Sequence, residues 1–250
     1  MTNETTKNDN QVDVQLICNK HNIGRYKLIE VSTFVARVLE MRPHDALKKS
    51  EIEIIDGDIF VVTQKIVSKS EGMSRNLDKY NFEDLLNSQV DRVVRKRGEL
   101  VIAKTKHGFI CANAGIDKSN VEKNTVLLLP EDPNKAAHSI RKKMENLTGK
   151  KIAVIVSDTF GRAWRKGQVN FAIGSSGINP VTSYIGKTDT FENELNATEI
   201  AVVDEIASAA ELVMEKTINV PIAIVRGVKY EDSKKNASEL IREDEEDFFL

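Results

Sequence analysis

An α/β fold of the α+β type, with mixed and largely antiparallel sheets flanked by helices, is what the sequence predicts. Three observations carry this. A well-delimited helix runs from Pro133 to about Thr148; an almost wholly apolar strand, Lys151 to Val156, follows it; and a pair of strands, Leu100 to Lys104 and Phe109 to Ala112, is joined through Lys106, His107 and Gly108. Asp132 can cap that helix, Pro133 suits its first position, and Gly149 suits the residue after its end. Ile140, Met144 and Leu147 form its expected buried stripe. An uninterrupted apolar strand is the mark of a sheet covered on both faces, and a Gly-containing turn between two strands is the mark of a hairpin.

The remaining elements follow from the same patterns. Residues 1–11 hold too little apolar surface to offset their ordering entropy and are expected to form a mobile tail. From residue 12 to 250 the chain reads as one folded unit of two discontinuous lobes. Val12, Val14, Leu16 and Cys18 alternate as in a half-buried strand, and Phe34, Val35, Val38, Leu39 and Met41 follow helical spacing. Asp58 to Thr63 is a short apolar strand. Between Tyr80 and Arg97 the residues Phe82, Leu85, Leu86, Val90, Val93 and Val94 recur near i, i+3, i+4, which predicts one amphipathic helix with Arg92, Arg95, Lys96 and Arg97 at its C-terminal end. A further helix is expected over Thr198 to Met214 and an interior strand over Pro221 to Val225. The C-terminus reads as a solvated helix ending in the apolar anchor Phe248, Phe249 and Leu250.

Composition narrows the function. The 250 residues are 40% hydrophobic and carry 36 basic against 38 acidic side chains, a net charge of -2. No global field attracts nucleic acid or an anionic membrane. No apolar run reaches the length of a bilayer span, and the polar N-terminus lacks the apolar core of a leader, so a cytoplasmic location is expected. Cys18 and Cys111 both lie in apolar stretches and read as reduced, buried thiols.

Two carboxylates stand where structured segments give way to Gly- and Asn-rich strings: Asp117 in Asn113-Ala-Gly-Ile-Asp117-Lys-Ser-Asn120, and Asp158 in Ser157-Asp158-Thr159-Phe-Gly161-Arg162. Such groups can converge on a hard cation, which prefers oxygen ligands; each alone could equally cap a turn. Arg162, Arg165 and Lys166 follow Asp158 closely, with Gly167, Gly174 and Gly177 permitting close backbone approach. Cations beside a metal-binding carboxylate suit a polyphosphate, although a solvated basic turn has the same composition. Trp164 reads as packing. Lys69 could reach a phosphate or lie on the surface. No Gly-x-x-x-x-Gly-Lys-Ser/Thr and no helix-opening Gly-x-Gly-x-x-Gly is present, so a nucleotide site here is not a P-loop or a dinucleotide fold. His21, His44, His107 and His138 lack zinc spacing, and Ser176 lacks a nucleophile elbow.

Read jointly, these strings resemble the coenzyme F420-0:L-glutamate ligase family. The likeness runs in order through Gly57-Asp-Ile-Phe-Val-Val-Thr, Ser68-Lys69-Ser-Glu71-Gly72, the Asp117 and Asp158 strings extended to Gly167-Gln, Ala172-Ile-Gly174-Ser-Ser-Gly177, Val203-Asp204-Glu205-Ile-Ala and Val225-Arg226-Gly227, covering about residues 56–227. Several unusual strings in fixed order lower the odds that Asp117 and Asp158 merely cap turns. The resemblance implies a non-P-loop ligase fold, a homodimer, and a cleft for GTP with two divalent cations, magnesium or manganese, with potassium as a further ion. It implies that GTP phosphorylates the lactyl carboxylate of F420-0 and that the amine of L-glutamate then displaces phosphate. By position, Asp117 and Asp158 would hold one cation and Thr159 the second, while Gln64, Lys65, Lys69, Asn120 and Lys216 would contact GTP. Glu215 stands where the family usually has Gly. It would either ligate the second cation, the reading preferred here, or repel phosphate. The competing reading is a noncatalytic nucleotide- or F420-binding regulator descended from such a ligase.

Overall fold

A computed structural model describes residues 27–31 (backbone only), 53–217 and 220–248. The expected tail, the strand around Val12 to Cys18, the helix around Phe34 to Met41, Cys18, His21, His44, Phe249 and Leu250 lie outside these residues. In chain order the elements are β1 (Lys27–Val31), β2 (Ile59–Thr63), α1 (Gln64–Ser70), β3 (Ser74–Asn76), α2 (Phe82–Gln89), β4 (Val90–Arg97), β5 (Leu100–Thr105), β6 (Ile110–Ala112), β7 (Thr125–Leu127), α3 (Pro133–Thr148), β8 (Ala153–Arg162), β9 (Arg165–Ser176), β10 (Thr182–Ser183), β11 (Glu199–Ile200), α4 (Val202–Met214) and β12 (Ile222–Arg226). The predicted class holds: helices flank sheets in which β2 and β8 run parallel and every other paired strand is antiparallel.

The main sheet has the order β1-β12-β2-β8-β9. Alternation along β2 and β8 sends Phe60, Val62, Val154 and Val156 toward Ala136, Ala137 and Met144 of α3. It sends Ile59, Val61, Ala153 and Ile155 toward Val203, Ile206, Ala207 and Ala210 of α4. Apolar side chains on both faces of both strands explain why Lys151 to Val156 reads as a continuous run, and each such residue withdrawn from water contributes roughly 1.5–3 kcal/mol. A third cluster, with Leu85, Leu86, Val101, Ala103, Val126 and Leu128, forms where α2 meets the small sheet β4-β5-β6.

Helix α3 has the predicted ends. Asp132 accepts the N–H of Lys135 at 2.9 Å, Pro133 occupies the first turn, and Gly149 adopts a left-handed φ of 69°. Its buried stripe differs at one position, since Leu147 is 49% exposed and Pro133, Ala136 and Ala137 are buried with Met144 instead. Helix α4 begins at Val202 rather than Thr198, because Glu199 and Ile200 pair with Ser183 and Thr182.

The single helix expected over Tyr80 to Arg97 is corrected. Asn81 caps α2, accepting from Glu83 and Asp84 N–H groups, but the helix ends at Gln89 and Val90 to Arg97 form a strand. Two register shifts in the β4–β5 ladder, between Val90 and Arg92 and between Val93 and Arg95, break the period of two. The β-branched valines therefore fall at spacings that imitate a helix, and the basic residues lie along a hairpin turned at Gly98 rather than at a helix terminus. The C-terminal expectation is also corrected: Asp244–Glu246 is a single 3-10 turn, and Phe248 is 87% exposed rather than an anchor.

Candidate functional site

Strands β2 and β8 end side by side, and the polar residues that follow their apolar runs meet in one cavity of about 140 Å³. Lys65, Lys69, Asn120, Asp158, Thr159, Glu215 and Lys216 all line it. Gln64 lies fully buried behind, its Oε1 accepting the Ser68 hydroxyl at 2.9 Å. Asp117 stands at the edge and reaches the group through an ion pair with Lys65. The structure thus brings together the residues singled out in four separate strings.

Asp158 is not a loop residue, which corrects the expectation drawn from its string. It sits within β8, opposite Phe171, immediately after a register shift at which Val156 faces Gly174 but Ser157 faces Ala172. The extra residue in β9 is a bulge, a device that re-aims side chains next to a site. Burial pushes the Asp158 carboxyl up to about 6; the Thr159 backbone N–H, Lys65 and Lys216 act in the opposite direction. Lys65 in turn has its ammonium lowered by burial, against the attraction of Asp158, with Lys216 and Lys69 adding repulsion. Burial lowers Lys69 as well, and its Nζ donates to the Asn120 carbonyl at 2.9 Å. Three ammonium groups thus share the cavity with the carboxylates of Asp158, Glu211 and Glu215.

Asp117 caps its turn, with Oδ1 accepting the Ser119 N–H at 2.6 Å, while Oδ2 pairs with Lys65. Lys216 identifies two residues that were not legible before. Its Nζ lies 2.6 Å from Thr159 Oγ1, 3.4 Å from Asn170 Oδ1 and 2.7 Å from Glu211 Oε1. Asn170 faces Thr159 across the β8–β9 ladder, and its amide also donates to Glu211 Oε2 at 2.8 Å. Among the described residues no three His, Cys, Asp or Glu side chains converge as a metal cluster. The hard oxygens of Thr159, Asn170 and Glu211 already surround one positive charge, the Lys216 ammonium.

The basic residues Arg162, Arg165 and Lys166 do not join the cavity. They cap the tip of the β8–β9 hairpin, where Arg162 Nη2 donates to the Lys166 carbonyl at 2.6 Å, and this matches the solvated-turn reading. Trp164 is 87% exposed at the same tip, which corrects its reading as a packing residue. Cys111 is a buried free thiol, pushed up to about 12 by burial. A larger open cavity of about 860 Å³ between α1 and α3 carries Glu71, Lys135 and Lys143 but none of the candidate ligands.

Residues 38–227 match the family model described as F420-0:Gamma-glutamyl ligase. The chain belongs to that family. The Coenzyme F420:L-glutamate ligase of Methanocaldococcus jannaschii is 38% identical over 218 residues, 80% of this chain and 87% of the relative. That of Archaeoglobus fulgidus is 37% identical with the same coverage, and that of Methanothermobacter thermautotrophicus is 36% identical over 200 residues, 73% of this chain and 79% of the relative. Membership places the chain among ligases, and the matched span contains every residue of the cavity.

Glu215 is where this family member has its unusual backbone. The residue ends α4 with φ 46° and ψ -172°, a conformation that glycine adopts freely and a side chain resists, and it is exposed. Strain of this kind costs on the order of 1–3 kcal/mol, partly offset by the added chain entropy that glycine brings to the unfolded state. Glu215→Gly is expected to stabilise the protein by about 1 kcal/mol, read as a higher midpoint in urea; an unchanged or lower midpoint refutes the strain.

Proposed function

We propose that this ligase joins L-glutamate to F420-0 at the expense of GTP, through an acyl phosphate, in the biosynthesis of coenzyme F420. The observation that carries the reading is the trio of Lys65, Lys69 and Lys216 ammonium groups around Asp158 and Thr159 in one cavity. A carboxylate oxygen of the acceptor attacks the γ-phosphorus of GTP, GDP departs, and the glutamate amine then attacks the acyl carbon as phosphate leaves and the amine loses its proton. Such chemistry asks for alignment and charge neutralisation, not for a protein nucleophile.

In this reading Lys69, Lys65 and Lys216 neutralise phosphate oxygens, and Asn120 and Gln64 orient the nucleotide. Asp117 and Asp158 would hold one magnesium or manganese ion. Thr159, Asn170 and Glu211, together with Glu215, would hold a second once the Lys216 ammonium that they now surround turns to phosphate. These ions would supply charge stabilisation at the transferring phosphoryl group. Potassium, a homodimer and a cytoplasmic setting complete the proposal; among the described residues no helix is long and apolar enough to cross a membrane.

The deciding experiment incubates the full chain with F420-0, GTP, L-glutamate and magnesium or manganese. A product heavier by one glutamyl residue, with GDP release that requires glutamate, supports the ligase; nucleotide or F420-0 binding without turnover supports the regulator. Two variants test the parts. Lys69→Ala is expected to raise the dissociation constant for GTP roughly tenfold with stability changed by less than about 0.5 kcal/mol. Calorimetry with metal present checks this, and an unchanged constant removes Lys69 from the site. Glu215→Gly is expected to raise the metal concentration for half-maximal activity; a gain in activity at unchanged metal dependence would make Glu215 an impediment instead.

A further inference from the structure

The Val203-Asp204-Glu205 string plays no part in the cavity described above. Asp204 lies in the first turn of α4, with Oδ1 accepting the Ala172 N–H at 2.8 Å. It lines a second cavity of about 260 Å³, on which Phe109, Phe160 and Phe171 open from one side and Leu240 and Ile241 from the other. The three phenyl rings form a row, with centroids 6.0 Å apart between Phe109 and Phe160 and 5.9 Å apart between Phe160 and Phe171. Each ring is only partly buried. Burial also pushes the Asp204 carboxyl up to about 6, against the Ala172 N–H that it accepts.

Phe109 and Phe160 pack in part on the core, and the exposed remainder of the row, beside a desolvated carboxyl group, is complementary to a flat ring system with a polar edge: the rings contact its face and the carboxyl hydrogen-bonds the edge. The position is as informative as the chemistry. Phe160 is two residues beyond Asp158, on the same side of β8 by strand alternation and about 7 Å along it, and Phe171 is the ladder partner of Asp158. A molecule with its ring in this cleft can present its other end at Asp158. The outer wall, Ala237 to Asp244, is tied down by ion pairs from Asp244 to Lys104 at 2.8 Å and to Arg92 at 3.4 Å. It lies beyond the span matched to the family model.

We propose that the Phe109–Phe160–Phe171 cleft binds a planar heteroaromatic ring, the ring end of the carboxylate-bearing acceptor, and orients its tail toward Asp158. This inference rests on the ligase reading given above.

The test is calorimetric titration of the full chain with F420-0, in magnesium and a non-hydrolysable GTP analogue, for wild type, Phe171→Leu and Leu240→Trp. Phe171→Leu removes a stacking face and Leu240→Trp fills the cleft from its outer wall. Each is expected to weaken F420-0 binding by about tenfold or more, with the affinity for the GTP analogue and the melting temperature unchanged. If Phe171→Leu fails to fold, Leu240→Trp decides. Wild-type binding of F420-0 that survives the folded variants within twofold overturns the cleft alone. A wild-type chain that binds no F420-0 overturns the acceptor reading and the cleft together.

Discussion

Replacing Asp158 by Asn is expected to lower turnover by about a thousandfold while the protein remains folded. Loss of a charged group at a phosphoryl-transfer centre removes several kcal/mol of transition-state stabilisation. Stability should move the other way. Burial raises the folded-state carboxyl from its ordinary 3.8 to about 6, so the folded chain holds this proton more tightly than the unfolded chain does. The sign follows: stability falls as pH rises from about 4 to about 6, and the full penalty remains above that. Lys65 and Lys216 reduce the penalty without cancelling it, because the net shift is still upward. Near pH 7 without metal, Asp158→Asn should therefore melt roughly 4 °C or more above wild type, from about 2 kcal/mol recovered. Metal titration completes the measurement, since the variant should also bind magnesium or manganese more weakly. Near-normal turnover at limiting metal would remove Asp158 from the centre, and a lower melting temperature would refute the burial argument.

The largest effect on stability is expected at Gly174. A Cβ built there would lie 2.3 Å from the Pro133 carbonyl oxygen, 2.4 Å from its carbon and 2.8 Å from Asn134 N. All three are backbone atoms at the start of α3, where Asn134 Oδ1 also accepts the Ser175 N–H at 3.0 Å. No side-chain rotation relieves the overlap, so strand and helix must separate. Gly174→Ala is expected to cost about 3 kcal/mol, at the upper end of overpacking effects, and to lower the melting temperature by roughly 6–12 °C. Gly161→Ala is the control, because nothing lies within 4 Å of its added carbon; it should cost less than about 0.5 kcal/mol. Equal melting temperatures for the two variants would show that β9 and α3 are not held this closely.

These two sites also show what could be read in advance. Gly174 was singled out for close backbone approach, and the approach is present, but the neighbour is the first turn of α3 rather than a phosphate. Helix α3 was legible because its cap, its proline and its terminal glycine are local signals that act within a few residues. Val90 to Arg97 does not announce itself as a strand, because bulges in the β4–β5 ladder depend on the partner strand, which leaves no mark in a one-dimensional period. The string around Asp158 marks the residue but not its place in a strand, since the long β8–β9 hairpin continues through polar residues that no apolar alternation announces. Asn170 and Glu211 were not recognised as partners of Thr159 at all. One faces it across a ladder and the other comes from a helix some forty residues further on, and only the fold brings them within reach of the same ammonium group.

The sheet order determines when the strand that leads into this site acquires its second neighbour during synthesis. β12 is the last strand made, yet it lies between β1 and β2, and β2 pairs with β8 across about 90 residues of intervening chain. A nascent chain stopped before Ile222 has an open edge on β2 at the strand that leads into Lys65 and Lys69, with Val61 and Val62 lacking their partners Ala223 and Ile222. β2 thus gains its second neighbour, beside the strand end that leads into Lys65 and Lys69, only as the final tenth or so of the chain emerges. Until then the exposed β2 edge is the surface that a chaperone or a neighbouring nascent chain would meet.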